Sequence, residues 1–257
     1  VARVAAHVIN QVRSGDLALS GEQMADKLRL DFQFPSHWKA LHRFIIARLA
    51  RSYEAYQPVR IGDRQLADGA RTCLDRWSHI ETILQRTNAK SLLDLGCAEG
   101  YFVQQAARHG CIGLGVDADM RRLTIAQNTS ILNGVSGAGF LYGQISVDFI
   151  EALPSFDVVL FLSVLHHVIH AQGIDYAAQI MTSILQRTRL GLVFDMGQSN
   201  ENRPPNDWSR ILPPMEPDPK TWITNFLKDV GFSEVEVLAD TDAFATVERR
   251  HLFFCRP

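Results

Sequence analysis

The chain has 257 residues, is 46% hydrophobic and 21% charged, and carries a net charge of −2. That composition predicts a soluble globular protein, with no apolar run long enough to cross a bilayer and no basic excess to draw it to nucleic acid or an anionic membrane. The four cysteines, Cys73, Cys97, Cys111 and Cys255, lie far apart with no C-x-x-C pair, which predicts free thiols and a cytoplasmic setting.

Residues 1–88 read as a helical region. Val1, Val4, Ala5, Val8, Ile9 and Val12 recur at helical spacing before Gly15, and Ser20-Gly-Glu-Gln23 has the form of a capping box. A longer helix is expected after Ser36, with Trp38, Leu41, Ile45, Leu49 and Tyr53 along one side. Another carries Leu74, Trp77, Ile80 and Leu84. Between them Asp68-Gly69 predicts a loop, and Arg71 and Arg76 are candidates to grip an anionic substrate. A solvated basic face is the bland alternative for those arginines. The region reads as a lid or substrate-recognition segment, with a packing extension as the other reading. The chain starts at Val1 without Met, which leaves an upstream segment open.

Ser91 to Leu95 is an apolar run that reads as a buried strand, and Gly96 and Gly100 mark a tight turn into a helix that begins at Tyr101. A second strand, Cys111 to Val116, ends in Asp117, about the distance downstream at which nucleotide-binding units place a ribose acid. The loop departs from the dinucleotide pattern G-x-G-x-x-G, with Ala98 inside it and Tyr101 where the last glycine belongs. Asp94, at the strand tip, suits an ammonium group better than a pyrophosphate, because two anions repel. On Asp94-x-Gly96-x-x-x-Gly100 the chain resembles the class I S-adenosylmethionine-dependent methyltransferases. The resemblance implies S-adenosyl-L-methionine as cofactor. Asp94 and the loop Gly96, Cys97, Ala98 and Gly100, with Tyr101 and Phe102, would hold its methionine end. Asp117 and Ala118 would take its ribose.

Met120 to Leu132 looks helical and Phe140 to Gly143 forms a short third strand. Gln144 stands where that class commonly has an acid near the adenine amino group, and its amide oxygen can accept the same bond, with Ile145 beside it. The fourth strand, Phe156 to Ser163, is almost wholly apolar, as expected at the centre of a parallel sheet, and Ser163 at its tip joins the cofactor set. His166 and His167 follow that tip and are the candidates for catalysis, since a neutral His can take a proton from a hydroxyl nucleophile. The alternative is that one of them caps the helix or packs under the cofactor. His166 and His170 are four apart, as a zinc pair would be, and Asp195 sits at a strand end. Spacing specifies no third ligand, so no metal is expected.

A covering helix from Ile174, a fifth strand from Leu190 to Met196 and a polar loop to Trp208 come next. Loops at that end of a sheet carry specificity, and Trp208 offers a flat face to a sugar or headgroup. Asp218-Pro219 starts a helix that Gly231 ends, and strands over Val235–Ala239 and His251–Cys255 bring the count to seven. The expected fold is therefore α/β, a Rossmann-like, seven-stranded, mostly parallel sheet with a C-terminal antiparallel hairpin. Residues 89–257 would form the class I domain and residues 1–88 a helical N-terminal region.

Gly96-Cys-Ala-Glu-Gly-Tyr-Phe and Phe161-Leu-Ser-Val-Leu-His-His look similar to two narrower groups. One is the methyltransferase part of O-antigen chain-terminating kinase–methyltransferases; the other is the RNA phosphate methyltransferases. The reading that follows is methyl transfer to oxygen of a small-molecule, glycan, lipid-linked or phosphate-bearing acceptor. An RNA or tRNA acceptor is one alternative, against the charge balance. A catalytically silent module that binds a protein partner is another. Oligomeric state is left open.

Overall fold

The computed structural model describes residues 36–71, 73–201, 208, 211–242 and 248–257, with the side chains of 36–39 and 42 left aside. The helix and capping box read within residues 1–35, and the Trp38 side chain, lie outside the described residues.

Helix α1 (Ser36–Ser52) leads into a hairpin, β1 (Val59–Ile61) and β2 (Arg64–Ala67), and then α2 (Leu74–Thr87). The hairpin corrects the expectation of an all-helical N-terminal region. Its signal is local: Gly62-Asp63 is a two-residue turn, Gly62 has φ 57°, and Val59, Ile61 and Leu66 bury while their neighbours face out. The stripe expected on α1 also shifts. Leu41 and Ile45 are exposed, and Ile46 and Ala50 bury instead, packed with Val59, Ile61, Leu66 and Ile125. The helix rests through its C-terminal turns on the small hairpin and on the helix Met120–Leu132 that carries Ile125, so the residues facing those two elements lose water. On α2, Trp77, Ile80 and Leu84 are buried but Leu74, in the first turn, is exposed.

The main sheet has seven strands in the order β5-β4-β3-β6-β7-β9-β8. These are β3 (Ser91–Leu95), β4 (Ile112–Asp117), β5 (Ala138–Tyr142), β6 (Phe156–Leu162), β7 (Thr188–Asp195), β8 (Glu234–Asp242) and β9 (Arg249–Arg256). Pairs from β5 to β7 are parallel, and β9 runs antiparallel to both β7 and β8. The helices between them are α3 (Tyr101–Arg108), α4 (Met120–Leu132), α5 (Val147–Glu151), α6 (Leu165–Gln172), α7 (Ile174–Arg187) and α8 (Pro219–Val230). Alternation along the central strands builds two apolar layers, as a sheet covered on both faces requires. Leu93, Val159, Phe161 and Phe194 meet α6, α7 and α8 on one face. Leu92, Val158, Leu160 and Val193 meet α2 and α3 on the other. Among the described residues no helix is long and apolar enough to cross a membrane, and all four cysteines are buried and unbridged.

Candidate functional site

Strand order reverses between β3 and β6, and parallel sheets of this kind receive ligands at the C-terminal tips beside such a point. The sequence-predicted residues gather there. Asp94 is near the end of β3, Asp117 ends β4, Gln144 and Ile145 follow β5, and Ser163 follows β6.

The loop from Gly96 to Gly100 is built on left-handed backbone, with φ 86° at Gly96, 48° at Ala98 and 75° at Gly100. A Cβ on Gly96 would stand 2.5 Å from Val164 Cγ2, and one on Gly100 would overlap the Phe140 ring and lie 2.9 Å from Ala126 Cβ. Gly100→Ala is therefore expected to cost about 2–4 kcal/mol, from left-handed strain and overpacking together. Urea denaturation would measure it, and a loss under about 0.5 kcal/mol would show that the loop has room to shift. Cys97 and Phe102 do not offer side chains to a ligand. Cys97 is fully buried against Gly115, and Phe102 lies in the core beneath Arg76, so only their backbones reach the loop. Tyr101 is half-buried, while Ala118 and Gln144 are exposed at the rim.

Asp117 fastens the loop: its Oδ2 accepts the Ala98 N–H at 2.9 Å and its Oδ1 accepts the Asp119 N–H at 2.8 Å. Each carboxylate oxygen retains a lone pair for a further donor. Asp94 is almost fully buried and its Oδ2 has no hydrogen-bond partner. Burial pushes its carboxyl up to about 7, against the pull of the Arg76 guanidinium and with a further push from Asp117. A buried acid with an unanswered oxygen marks a place where a cationic donor is missing.

Beside it stands a cluster of three buried arginines. Arg76 Nη1 donates to Asp195 Oδ2 at 3.1 Å, with side chains 1% and 0% exposed. Arg250 grips Glu201 with two bonds, Nε to Oε1 at 2.7 Å and Nη2 to Oε2 at 3.0 Å. Ser163, left-handed at φ 59°, is the hub. Its Oγ donates to Asp195 Oδ1 at 2.8 Å and accepts from Arg71 Nη1 and Arg250 Nη1, each at 3.0 Å. The Ser163 hydroxyl is thus committed to this network rather than to a cofactor. Burial would raise the Asp195 carboxyl, but Arg76, Arg71 and Arg250 together hold it below the usual range. Arg71 differs from the other two. Its hydrogen bonds go to Ser163 Oγ, to the Tyr56 hydroxyl and to the Asp242 carbonyl, all neutral. Arg76 keeps Nε and Nη2 without a partner, and the amide of Gln198, also buried, has neither group answered.

The histidines part company. His166 is buried, with its ring 4.1 Å from Trp208 and 4.2 Å from His167, and Gly197 N–H donates to its Nδ1 at 3.0 Å. A donor there requires an unprotonated Nδ1, so the neutral ring carries its proton on Nε2 and acts as a donor, not a base. His167 is exposed. Trp208 is itself buried over His166 and Gly197, so it packs as core and does not present a face to substrate. Among the described residues no three His, Cys, Asp or Glu side chains are grouped to hold a metal.

Glu99, Gln57 and Tyr56 escaped the sequence reading. Both Glu99 carboxylate oxygens accept backbone N–H groups of the N-terminal segment, Tyr56 at 3.0 Å and Gln57 at 2.9 Å. Gln57 Oε1 accepts the Tyr101 N–H, the first of α3, at 2.8 Å. The helix end that would cradle a pyrophosphate is therefore capped from within the chain. A carboxylate and a capped helix fit a cationic, phosphate-free ligand, and argue against a dinucleotide.

Comparison with known proteins agrees. Residues 93–188 match a family described as a methyltransferase domain. The chain is 31% identical over 143 residues to the Escherichia coli O-antigen chain terminator bifunctional methyltransferase/kinase WbdD, which covers 53% of this chain and 20% of that protein. It is 30% identical over 105 residues to the mitochondrial ubiquinone biosynthesis O-methyltransferase of Schizosaccharomyces pombe, covering 41% and 38% of the two. The chain thus spans about a fifth and under two-fifths of these curated relatives. A crystal structure of WbdD superposes with TM-score 0.69 at 24% identity, over 82% of this chain and 46% of that one. The N-terminal domain of EvdMO1, solved in the presence of S-adenosylhomocysteine and D-fucose, gives 0.59 at 17%, over 83% and 96%. At these identities the two structures share the fold.

Proposed function

We propose that this chain, which carries a class I S-adenosylmethionine-dependent methyltransferase domain, transfers the methyl group to an oxygen of a small-molecule or glycan acceptor that bears an anionic group such as phosphate. The observation that carries the acceptor's charge is Arg71, a buried guanidinium bonded only to neutral groups. The nearest carboxylate that acts on it, Asp195, is shared with Arg76 and Arg250, so an oxyanion in the crevice would add a counter-charge to a cluster rich in cations.

On the cofactor side, the unanswered Oδ2 of Asp94 and the unanswered Nε and Nη2 of Arg76 are opposite charges at the same strand tips. They fit the ammonium and carboxylate of an amino-acid headgroup, which moves Arg76 from the acceptor to the cofactor. Asp117 has lone pairs for ribose hydroxyls, and Gln144 with Ile145, which follow β5, would flank the adenine edge.

The bound cofactor supplies a methyl group on a sulfonium, an electrophile open to in-line displacement. With that group bound, the acceptor oxygen would take up the methyl carbon as the carbon–sulfur bond gives way, its negative charge offsetting the positive charge on sulfur. An oxygen that arrives ionised needs no base, which agrees with the tautomer that Gly197 imposes on His166. What the protein contributes is then alignment, by Arg71 on the acceptor and the glycine loop on the other reactant.

Labelled methyl transfer to matched phosphorylated and dephosphorylated acceptors tests the reading. Arg71→Ala should lower kcat/KM for the phosphorylated acceptor roughly 30- to 1,000-fold, since it removes one partner of a desolvated charge pair. Arg71→Lys should recover only part, because a point charge replaces a planar fork. Equal use of the neutral acceptor by the wild type would sink the anionic assignment, and no binding of S-adenosylmethionine would sink the enzyme reading.

A further inference from the structure

The glycine loop is held from two sides. From the sheet, Val116 C=O accepts the Gly96 and Cys97 N–H groups at 2.8 and 3.0 Å, and Asp117 accepts from Ala98. From the other side the N-terminal segment reaches in. Glu99, 2% exposed, uses both oxygens on the Tyr56 and Gln57 amides, and Arg122 Nη1 lies 3.6 Å from Oε1. Gln57, 3% exposed, returns its side-chain oxygen to the Tyr101 N–H. The result is a reciprocal clip: the loop's side chain holds the segment's backbone, and the segment's side chain holds the backbone that leaves the loop. It resembles a capping box in logic, but its two halves are 42 and 44 residues apart in sequence.

The loop needs such a clip. Three of its five residues are left-handed and one of them, Ala98, is not a glycine. A non-glycine residue in that region costs about 1–2 kcal/mol and persists only where the surroundings over-determine it. Asp117 fixes the Ala98 amide, and from Glu99 onward the hydrogen bonds that tie the loop to another segment run to residues 56 and 57, with the Arg122 guanidinium 3.6 Å from Glu99 Oε1 beside them. Release of the clip would free Glu99 to turn its charge toward the crevice and expose the Tyr101 N–H.

We infer that Gln57 and Glu99 are positioning residues of the cofactor site, which hold the loop in its ligand-accepting shape and make residues 56 and 57 part of that site rather than of an acceptor lid alone. The inference rests on the cofactor reading above. Neither side chain need touch a reacting atom; each acts through the backbone of the loop.

Calorimetric titration of the full chain with S-adenosylhomocysteine tests it, on the wild type, Gln57→Met and Glu99→Gln. Methionine keeps the length of glutamine but offers the Tyr101 N–H only a weak sulfur acceptor, and the amide oxygen at position 99 replaces just one of the two carboxylate oxygens. Each variant should raise Kd by roughly tenfold, the effect of leaving one buried donor unanswered. In steady state the cofactor KM should rise by more than kcat falls. A packing role would instead lower the melting temperature and the titration stoichiometry at unchanged Kd, and that pattern in both variants would overturn the inference. Should Gln57→Met fail to fold, Glu99→Gln decides alone. If the wild type binds neither S-adenosylmethionine nor its product, the cofactor reading falls and this inference falls with it.

Discussion

Arg76→Met should weaken S-adenosylmethionine binding by more than about a hundredfold and remove about 2–4 kcal/mol of stability. Both effects come from one guanidinium. Its Nη1 answers Asp195 in a pair that is 1% and 0% exposed, and its Nε and Nη2 point to no partner. Removal of the cation leaves the Asp195 carboxylate buried, which by itself costs about 3–5 kcal/mol. Ser163 still donates to Oδ1, and Arg71 and Arg250 still act on it electrostatically, so a loss about 1 kcal/mol smaller than that is expected. A double variant, Arg76→Met/Asp195→Asn, separates the two roles. The asparagine keeps an oxygen for Ser163 and no longer brings a charge, so much of the stability should return. Binding should not, because nothing replaces the two unanswered donors. Urea denaturation of both variants, with calorimetry on each, reads the split. If the double variant regained cofactor affinity along with stability, Arg76 would be a structural cation only.

The parts legible in the sequence were those encoded within one element. The apolar run Ser91–Leu95, the acid before Gly96 and the Asp218-Pro219 start each report a local backbone preference, and the structure has β3, the left-handed loop and α8 at those places. The Gly62-Asp63 turn is equally local, but its strands are only three and four residues long, and the helical spacing on either side is the stronger pattern. What lay beyond local pattern was which polar side chains meet across the chain. Glu99 stands in the loop as an unremarked acid, and its meaning comes from two amides more than forty positions away. Arg250 did carry a signal. It lies in phase with Leu252 and Phe254 on the face of β9 that packs with α2 and α3, and a charged residue on a covered face needs a buried counter-charge, which Glu201 supplies. His166 shows the opposite limit. Its place after β6 is readable, but its tautomer depends on the Gly197 amide in the loop after β7, and the tautomer decides what chemistry it can do.

Asp94→Asn should make the protein without ligand more stable while it abolishes cofactor binding. In the folded chain burial raises the carboxyl from 3.8 to about 7, so the native state holds a proton that the unfolded chain has already lost. Below pH 3.8 both states are protonated and Asp94 is neutral to stability. Between there and pH 7 the unfolded state binds fewer protons than the native state, so stability falls as pH rises, and above about 7 the deficit is complete. Asparagine has no such proton to lose. Its advantage should be absent near pH 4, grow through pH 6 and level off above 7, at roughly 4 kcal/mol for a rise from 3.8 to about 7 that already includes the attraction of Arg76. The ligand reverses the sign. An ammonium beside Asp94 favours the carboxylate, so wild-type affinity should climb with pH up to about 7 and binding at pH 6 should release a proton, visible as a dependence of calorimetric heat on the buffer. Denaturation of both proteins at pH 4, 6 and 8 would test the first half. An aspartate that stabilised the protein at pH 8, or an affinity flat from pH 5 to 8, would mean that Asp94 is already satisfied within the chain. The predicted combination is stability given up at one buried oxygen so that a cation can be bound there.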